Sequence, residues 1–337
     1  MVRTPKKIVL LGGSAGGVEA IGAILGVLDA DTDAAFFVVI HLNPSVPSLL
    51  PQVLARRTRL RVMAATDRAS INAGVVYVAP PDRHLVIHDG MVRLGRGPRE
   101  NGFRPAVDPL LRTAAAQFGS AVIGVIVSGN LDDGTVGLLE VKRQGGTAIV
   151  QDPDEAAYAG MPASALQEVA IDHVLPLSAI GEKISVLVRE APPEPAAPVN
   201  VRDPDIAIGG EAPVASIDER NSRPARLGCP ECGGVLWESN DDEIARYRCR
   251  VGHAFSDEGL LAAQTETLET ALWSALRTLQ ESEEHANTIA ERMDRRGHAG
   301  LAERFRRQAD DAQKRAQIVR QALVSNQAST ELVRDAD

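Results

Sequence analysis

The segment Ile8-Val-Leu-Leu-Gly-Gly-Ser-Ala-Gly-Gly17 constrains this chain most, because an apolar strand runs without pause into a turn of glycine, serine and alanine. Helical apolar spacing follows over residues 18–28. Strand, tight turn and helix in succession point to an α/β unit, with Ser14 at the strand end and helix N–H groups turned toward it. Gly12-Gly-Ser-Ala-Gly16 also fits the G-x-S-x-G elbow, whose glycines leave room for a nucleophilic serine. Two other readings compete: a phosphate-binding turn, or a serine that merely caps the helix. The dinucleotide and Walker A spacings are absent, and the second apolar run ends in His41 rather than a ribose-binding acid. The elbow alone leaves nucleophile and cap equally open, so partners must decide.

Short β-rich runs alternate with helical patterns as far as residue 188. Strands are expected over 8–11, 36–40, 121–127 and 147–150, and helices over 108–118, 135–144 and 162–169. The fold class expected is α/β: a doubly wound, mainly parallel sheet with helices on both faces. Residues 74–79 and 84–94 read as hairpin strands, with Asp89-Gly90 as a type I′ turn, which would make the sheet mixed. Residues 190–226 turn to Pro, Ala, Asp, Glu and Arg with little periodicity and read as a linker.

All three cysteines follow that linker, in Cys229-Pro-Glu-Cys232 and Cys249-Arg-Val-Gly-His253. Two close pairs of soft or borderline ligands suit tetrahedral zinc, and four protein ligands leave no open position, so the metal would be structural. The competing reading is three reduced cysteines in a small core, but a segment of about 25 residues has too little core to fold unstapled. Beyond it, Leu261, Leu268, Leu272, Ala275, Leu279, Ala286, Ile289 and Met293 form one apolar stripe. Leu301, Phe305, Ala309, Ala312, Ala316, Val319 and Leu323 form a second. The tail reads as an αα-hairpin whose apolar face packs on the rest of the chain, on a signalling protein or on another copy. The domain plan is therefore 1–189, a linker at 190–226, a Cys3His module at 227–256, a hairpin at 257–326 and a flexible tail at 327–337.

The charge balance, −9 overall, argues against nucleic acid as a partner of the whole chain. No run approaches the ~18–20 apolar residues that span a bilayer, and the first seven residues lead into a strand too short for a signal peptide. No membrane insertion and a cytoplasmic location are expected.

A nucleophile at Ser14 needs a base and an orienting acid. His41 ends the next expected parallel strand, and Val125-Ile-Val-Ser-Gly-Asn-Leu-Asp-Asp-Gly134 places two aspartates just after a third. Together with Gly13-Ser-Ala-Gly-Gly17, Tyr77-Val-Ala-Pro-Pro-Asp-Arg-His84 and Arg104-Pro-Ala-Val-Asp108, these blocks resemble the catalytic domain of CheB-type protein-glutamate methylesterases. The resemblance covers residues 8–188. It implies hydrolysis of glutamate γ-methyl esters on chemoreceptors, with glutamine deamidation as a second activity and no cofactor for catalysis. It makes Ser14 the nucleophile, His41 the general base and acid, and Asp133 the orienting carboxylate, with Asp132 a neighbour easily mistaken for it. The oxyanion would be held by the N–H groups of Ala15 and Asn130. Arg104 either shapes the cleft or makes a structural ion pair. Asn130-Leu131 stands where the family has Met-Gly, and Ala15 where it has Ser or Thr. Classical members begin with a receiver domain, whereas this sequence opens on the catalytic domain, so control by aspartyl phosphate in cis is not expected. A non-catalytic signalling scaffold or interaction protein, or an esterase or deamidase acting on another protein, stays as an alternative.

Overall fold

The structure, a computed structural model, describes residues 3–191, 222–239 and 244–334, with side chains to residue 325. The expected linker therefore lies outside the described residues from 192 to 221, as does the end of the tail from 335. No helix among the described residues is long and apolar enough to cross a membrane.

In chain order the first part holds β1 (Lys7–Gly13), α1 (Gly17–Gly26), β2 (Ala34–Ile40), α2 (Leu50–Ala55), β3 (Arg61–Ala64), β4 (Val75–Val78), β5 (His84–His88) and β6 (Met91–Gly95). It continues with α3 (Val107–Phe118), β7 (Val122–Ile126), α4 (Thr135–Arg143), β8 (Thr147–Gln151), α5 (Gly160–Glu168), β9 (His173–Leu175) and α6 (Leu177–Leu187). Seven strands form one sheet in the order β3-β4-β2-β1-β7-β8-β9, and every pairing is parallel.

Alternation along β1 explains the layering. Ile8 and Leu10 belong to one core, with α3, α4 and α5, while Val9 and Leu11 belong to the other, with α1, α2 and α6. A strand buried on both faces has no polar side to show, so it reads as a continuous apolar run. Each fully buried Leu, Ile or Phe side chain contributes roughly 1.5–3 kcal/mol, so β1, β2 and β7 take the centre and the half-exposed β3 and β9 the edges.

One expectation is corrected: the sheet is not mixed. Val75–Val78 joins it in parallel between β2 and β3, while β5 and β6 pair antiparallel as a separate two-stranded sheet laid on the α3 side. Asp89 and Gly90, with φ of 51° and 68°, make the turn between them, matching the expected type I′ conformation.

After the linker, β10 (Ser222–Gly228), β11 (Val235–Ser239), β12 (Tyr247–Cys249) and β13 (Ala254–Phe255) form an antiparallel four-stranded sheet. The first strand begins ahead of the expected module start at 227. This sheet belongs to the same compact unit as the first part, a unit that ends at Leu260.

The second unit starts at Leu261 and consists of the rest of α7 (Asp257–Arg295) and α8 (Ala299–Arg334). The turn between them closes through Gly297 at φ 78°, where the His298 N–H returns to the Met293 carbonyl. The seam uses Leu276, Ala286, Ala290, Ala302, Ala309, Ala312, Ala316 and Leu323. Leu261, Leu268 and Ala275, expected on the stripe, are exposed, because the helices close along the neighbouring row through Leu272, Leu276 and Leu279.

Candidate active site

The strand order reverses direction at β1, whose neighbours are β2 on one side and β7 on the other. At that switch point the loops leaving the C-terminal ends diverge to opposite faces and open a crevice. Ser14 follows β1, His41 follows β2, and Asp132 and Asp133 lie on the loop after β7.

Ser14 is held by its own backbone. Its N–H donates to the Ser128 carbonyl at 3.0 Å, and its carbonyl accepts the Gly17 N–H at 3.0 Å. Gly16 completes the turn at φ 73°, and a Cβ there would meet Ser128 Oγ at 2.6 Å. That hydroxyl is committed too, donating to the Ala15 carbonyl at 2.8 Å and accepting the Tyr158 N–H at 3.0 Å. The glycines of the elbow thus serve close approach as well as turn geometry.

His41 bridges the other two members. Its Nδ1 lies 3.1 Å from Ser14 Oγ and its Nε2 2.7 Å from Asp133 Oδ2. The His41 and Asp133 side chains are 5% and 1% exposed, so water competes little for either bond. With the ring proton on Nε2 donated to Asp133, Nδ1 is free to accept the serine proton. The opposite ring face stacks on Phe103, with centroids 3.6 Å apart and the planes 6° from parallel.

The charge on Asp133 sits at the start of α3, where its oxygens accept the Val107 N–H at 2.6 Å and the Asp108 N–H at 3.2 Å. Free N–H groups and the helix dipole suit an anion there. Asp108, one step into α3, does the same for α4: its Oδ1 accepts the N–H groups of Gly134 and Gly137 at 3.0 and 2.7 Å. Burial, and then the charge of Asp133, push the Asp108 carboxyl up to about 8. Both causes favour the neutral form of the Asp108 carboxyl. Asp108 stands inside the Arg104-Pro-Ala-Val-Asp108 block without having been singled out. The available signal was an acid in the first turn of an expected helix.

Asp132 points elsewhere. Burial pushes its carboxyl up to about 6, its Oδ1 has no hydrogen-bond partner, and Ser256 is its hydrogen-bonding neighbour. Of the two adjacent acids, only Asp133 reaches His41.

The 129–131 stretch abuts the serine. A Cβ on Gly129 would clash with Met161 Sδ and stand 2.9 Å from Ser14 Cβ. Asn130 and Leu131 pass over Gly160 so closely that a Cβ on it would lie 2.8 Å from the Leu131 nitrogen. Leu131 adopts φ 62°, a left-handed conformation that costs a side-chain-bearing residue roughly 1–2 kcal/mol. That is where the resemblance expects glycine. Arg104 makes the structural pair: it donates from Nε to Asp82 at 2.9 Å and from Nη1 to the Gly97 carbonyl at 2.7 Å.

At the module, Cys229 and Cys249 Sγ lie 3.6 and 3.5 Å from His253 Nδ1, and Cys232 Sγ lies 3.7 Å from Cys249 Sγ. All four ligand atoms fall within 4.8 Å of one another. A tetrahedron with metal–sulfur bonds of about 2.3 Å and metal–nitrogen bonds of about 2.0 Å has edges of roughly 3.8 and 3.5 Å, so these three separations are compatible with a four-coordinate metal.

Comparison with known proteins bears on the family and the fold. Residues 9–184 match the CheB methylesterase family. A protein of Anaeromyxobacter dehalogenans named protein-glutamate methylesterase/protein-glutamine glutaminase 2 is 37% identical over 183 residues, 54% of this chain and 54% of its own length. A putative protein-glutamate methylesterase/protein-glutamine glutaminase of Leptospira interrogans is 36% identical over 175 residues, 52% of this chain and 91% of its own. The chain thus spans about half the length of the first relative and nearly all of the second. The crystal structure of the Thermotoga maritima CheB methylesterase catalytic domain superposes with a TM-score of 0.52 at 37% identity, covering 55% of this chain and 100% of that one. By sequence and by fold, this chain belongs to the CheB methylesterase family.

Proposed function

We propose that the domain spanning residues 8–188 hydrolyses glutamate γ-methyl esters on the cytoplasmic helices of chemoreceptors and deamidates receptor glutamine by the same route. The observation that carries this reading is the relay from Ser14 Oγ through His41 to Asp133, at 3.1 and 2.7 Å. His41 Nδ1 takes the serine proton as Oγ attacks the ester carbonyl, and Asp133 stabilises the imidazolium that forms. The tetrahedral oxyanion is held by the N–H groups of Ala15 and Asn130, each such donor contributing roughly 3–4 kcal/mol to the transition state. The imidazolium returns its proton to the departing methoxide, which leaves as methanol. Water then gives a proton to His41 and attacks the acyl-enzyme, freeing glutamate and restoring Ser14. The substrate places the protein in the cytoplasm.

Ser14→Ala tests the reading. Methanol release from methylated receptors is expected to fall by about 10³-fold or more at unchanged thermal stability. Release at the wild-type rate sinks the hydrolase reading and leaves a scaffold.

The Cys3His cluster is read as a structural zinc site held by Cys229, Cys232, Cys249 and His253. Its support is that the four ligand atoms lie within 4.8 Å of one another. A metal with four protein ligands ties the ends of a small sheet together and takes no part in the ester chemistry.

A further inference from the structure

Glu100, Asn101, Gly102 and Phe103 form a tight turn, closed by the Glu100 and Phe103 N–H groups donating to each other's carbonyls at 3.2 and 2.9 Å. Asn101 and Gly102 take φ of 50° and 79°, the double left-handed conformation of a type I′ turn. The turn faces two ways. On one side Phe103 stacks on the ring of His41. On the other it is gripped by the Cys3His module.

That grip uses five contacts. The Asn101 N–H donates to the Ala254 carbonyl at 2.8 Å, and the Ala254 N–H returns to the Arg99 carbonyl at 3.3 Å, a single parallel β-bridge between β13 and the turn. The Ser256 N–H donates to Asn101 Oδ1 at 3.0 Å. Arg246 donates to Glu100 at 3.0 Å, completing a buried Arg112–Glu100–Arg246 group with one arginine from each side. Arg99 pairs with Glu231 at 3.3 Å, inside the first cysteine pair. Three of these contacts are made by two residues next to metal-ligand positions: Ala254 follows His253, and Glu231 precedes Cys232. The order of the module and the placement of the turn are therefore one mechanical unit.

A stacked aromatic ring fixes the tilt of an imidazole without taking either of its nitrogens. His41 needs that, since both nitrogens are engaged along the relay and its ring must present Nδ1 to Ser14 and Nε2 to Asp133 at the same time. We infer that Phe103 is a positioning residue for His41, and that the Cys3His module, by clamping the 100–103 turn, sets the reactivity of Ser14 from within the chain. The inference rests on His41 acting as the base. It makes metal occupancy of the module an in-cis control on the esterase.

The test uses the full-length zinc-loaded protein, with labelling of Ser14 by a fluorophosphonate probe measured beside methanol release. Phe103→Ala is expected to lower kcat and the labelling rate together by about tenfold, with KM moving less than about twofold. The pH midpoint of labelling should move with them, and Phe103→Tyr should restore all three. Asn101→Gly keeps the left-handed backbone but removes the Ser256 acceptor, and zinc chelation loosens the whole clamp. Both should slow labelling at least about threefold and raise deuterium exchange over residues 101–103. Wild-type labelling by Phe103→Ala overturns the positioning role, and unchanged exchange and labelling after zinc removal overturn the control by the module. Failure of the underlying reading looks different, because Ser14→Ala would then still release methanol.

Discussion

Asp108 and Asp133 cap each other's helices: the Asp108 N–H donates to Asp133 Oδ1 at 3.2 Å, while Asp108 Oδ1 accepts the N–H of Gly134, the residue after Asp133, at 3.0 Å. Asp108, held at about 8, keeps its proton where an unfolded aspartate, near 4, has lost it. The folded state then binds more protons than the unfolded one between about pH 4 and pH 8, so this group lowers stability as pH rises through that window. Asp108→Asn copies the neutral form. Relative to wild type, it should gain at least about 1 kcal/mol between about pH 5 and pH 9 in denaturant titrations. Parallel stability curves would refute the neutral assignment.

Asp133→Asn leaves a group of the same shape at the start of α3, but no charge for the imidazolium. The expected loss in kcat is roughly 10³–10⁴-fold, with the melting temperature within a few degrees of wild type. Steady-state methanol release and a thermal scan read both. Asp132→Asn on the same loop should lose far less activity, since Asp132 does not reach His41.

Gly129→Ala places a methyl group against Met161 and Ser14 Cβ. Displacement of the serine by a fraction of an ångström should cost roughly 10²-fold in kcat while circular dichroism stays unchanged. Full activity in this variant would mean that the 129–131 stretch gives way without carrying Ser14 along.

Purified protein should contain about one zinc per chain by elemental analysis, and Cys249→Ser should reduce that markedly. A metal content well below one with all four ligands intact argues for a cluster of plain thiols.

Much of this was legible because buried parallel strands write themselves as apolar runs: residues 8–11, 36–40 and 147–150 each lie within strands of the sheet, and Ser14 and His41 stand where those runs stop. The edge strands did not show. Arg61–Ala64 and His173–Leu175 are half-exposed and short, so neither burial nor alternation marks them. Val75–Val78 looked like a hairpin arm because its nearest apolar neighbour in sequence is β5, whereas its partners are β2 and β3. Choosing Asp133 over Asp132 needed the family blocks, since adjacent acids on one loop differ only in direction. Phe103 left no trace at all: nothing local marks a phenylalanine that meets a histidine 62 positions away.

The orientation of the His41 ring has a spectroscopic signature. Because Nε2 faces the carboxylate and Nδ1 the serine, the tightly held imidazole proton is Hε2. In protein carrying nitrogen-15 histidine, the far-downfield resonance of the resting enzyme should correlate with Nε2. Acylation of Ser14 should then perturb the other nitrogen, so a single labelled ring separates the two ends of the relay without any variant being made.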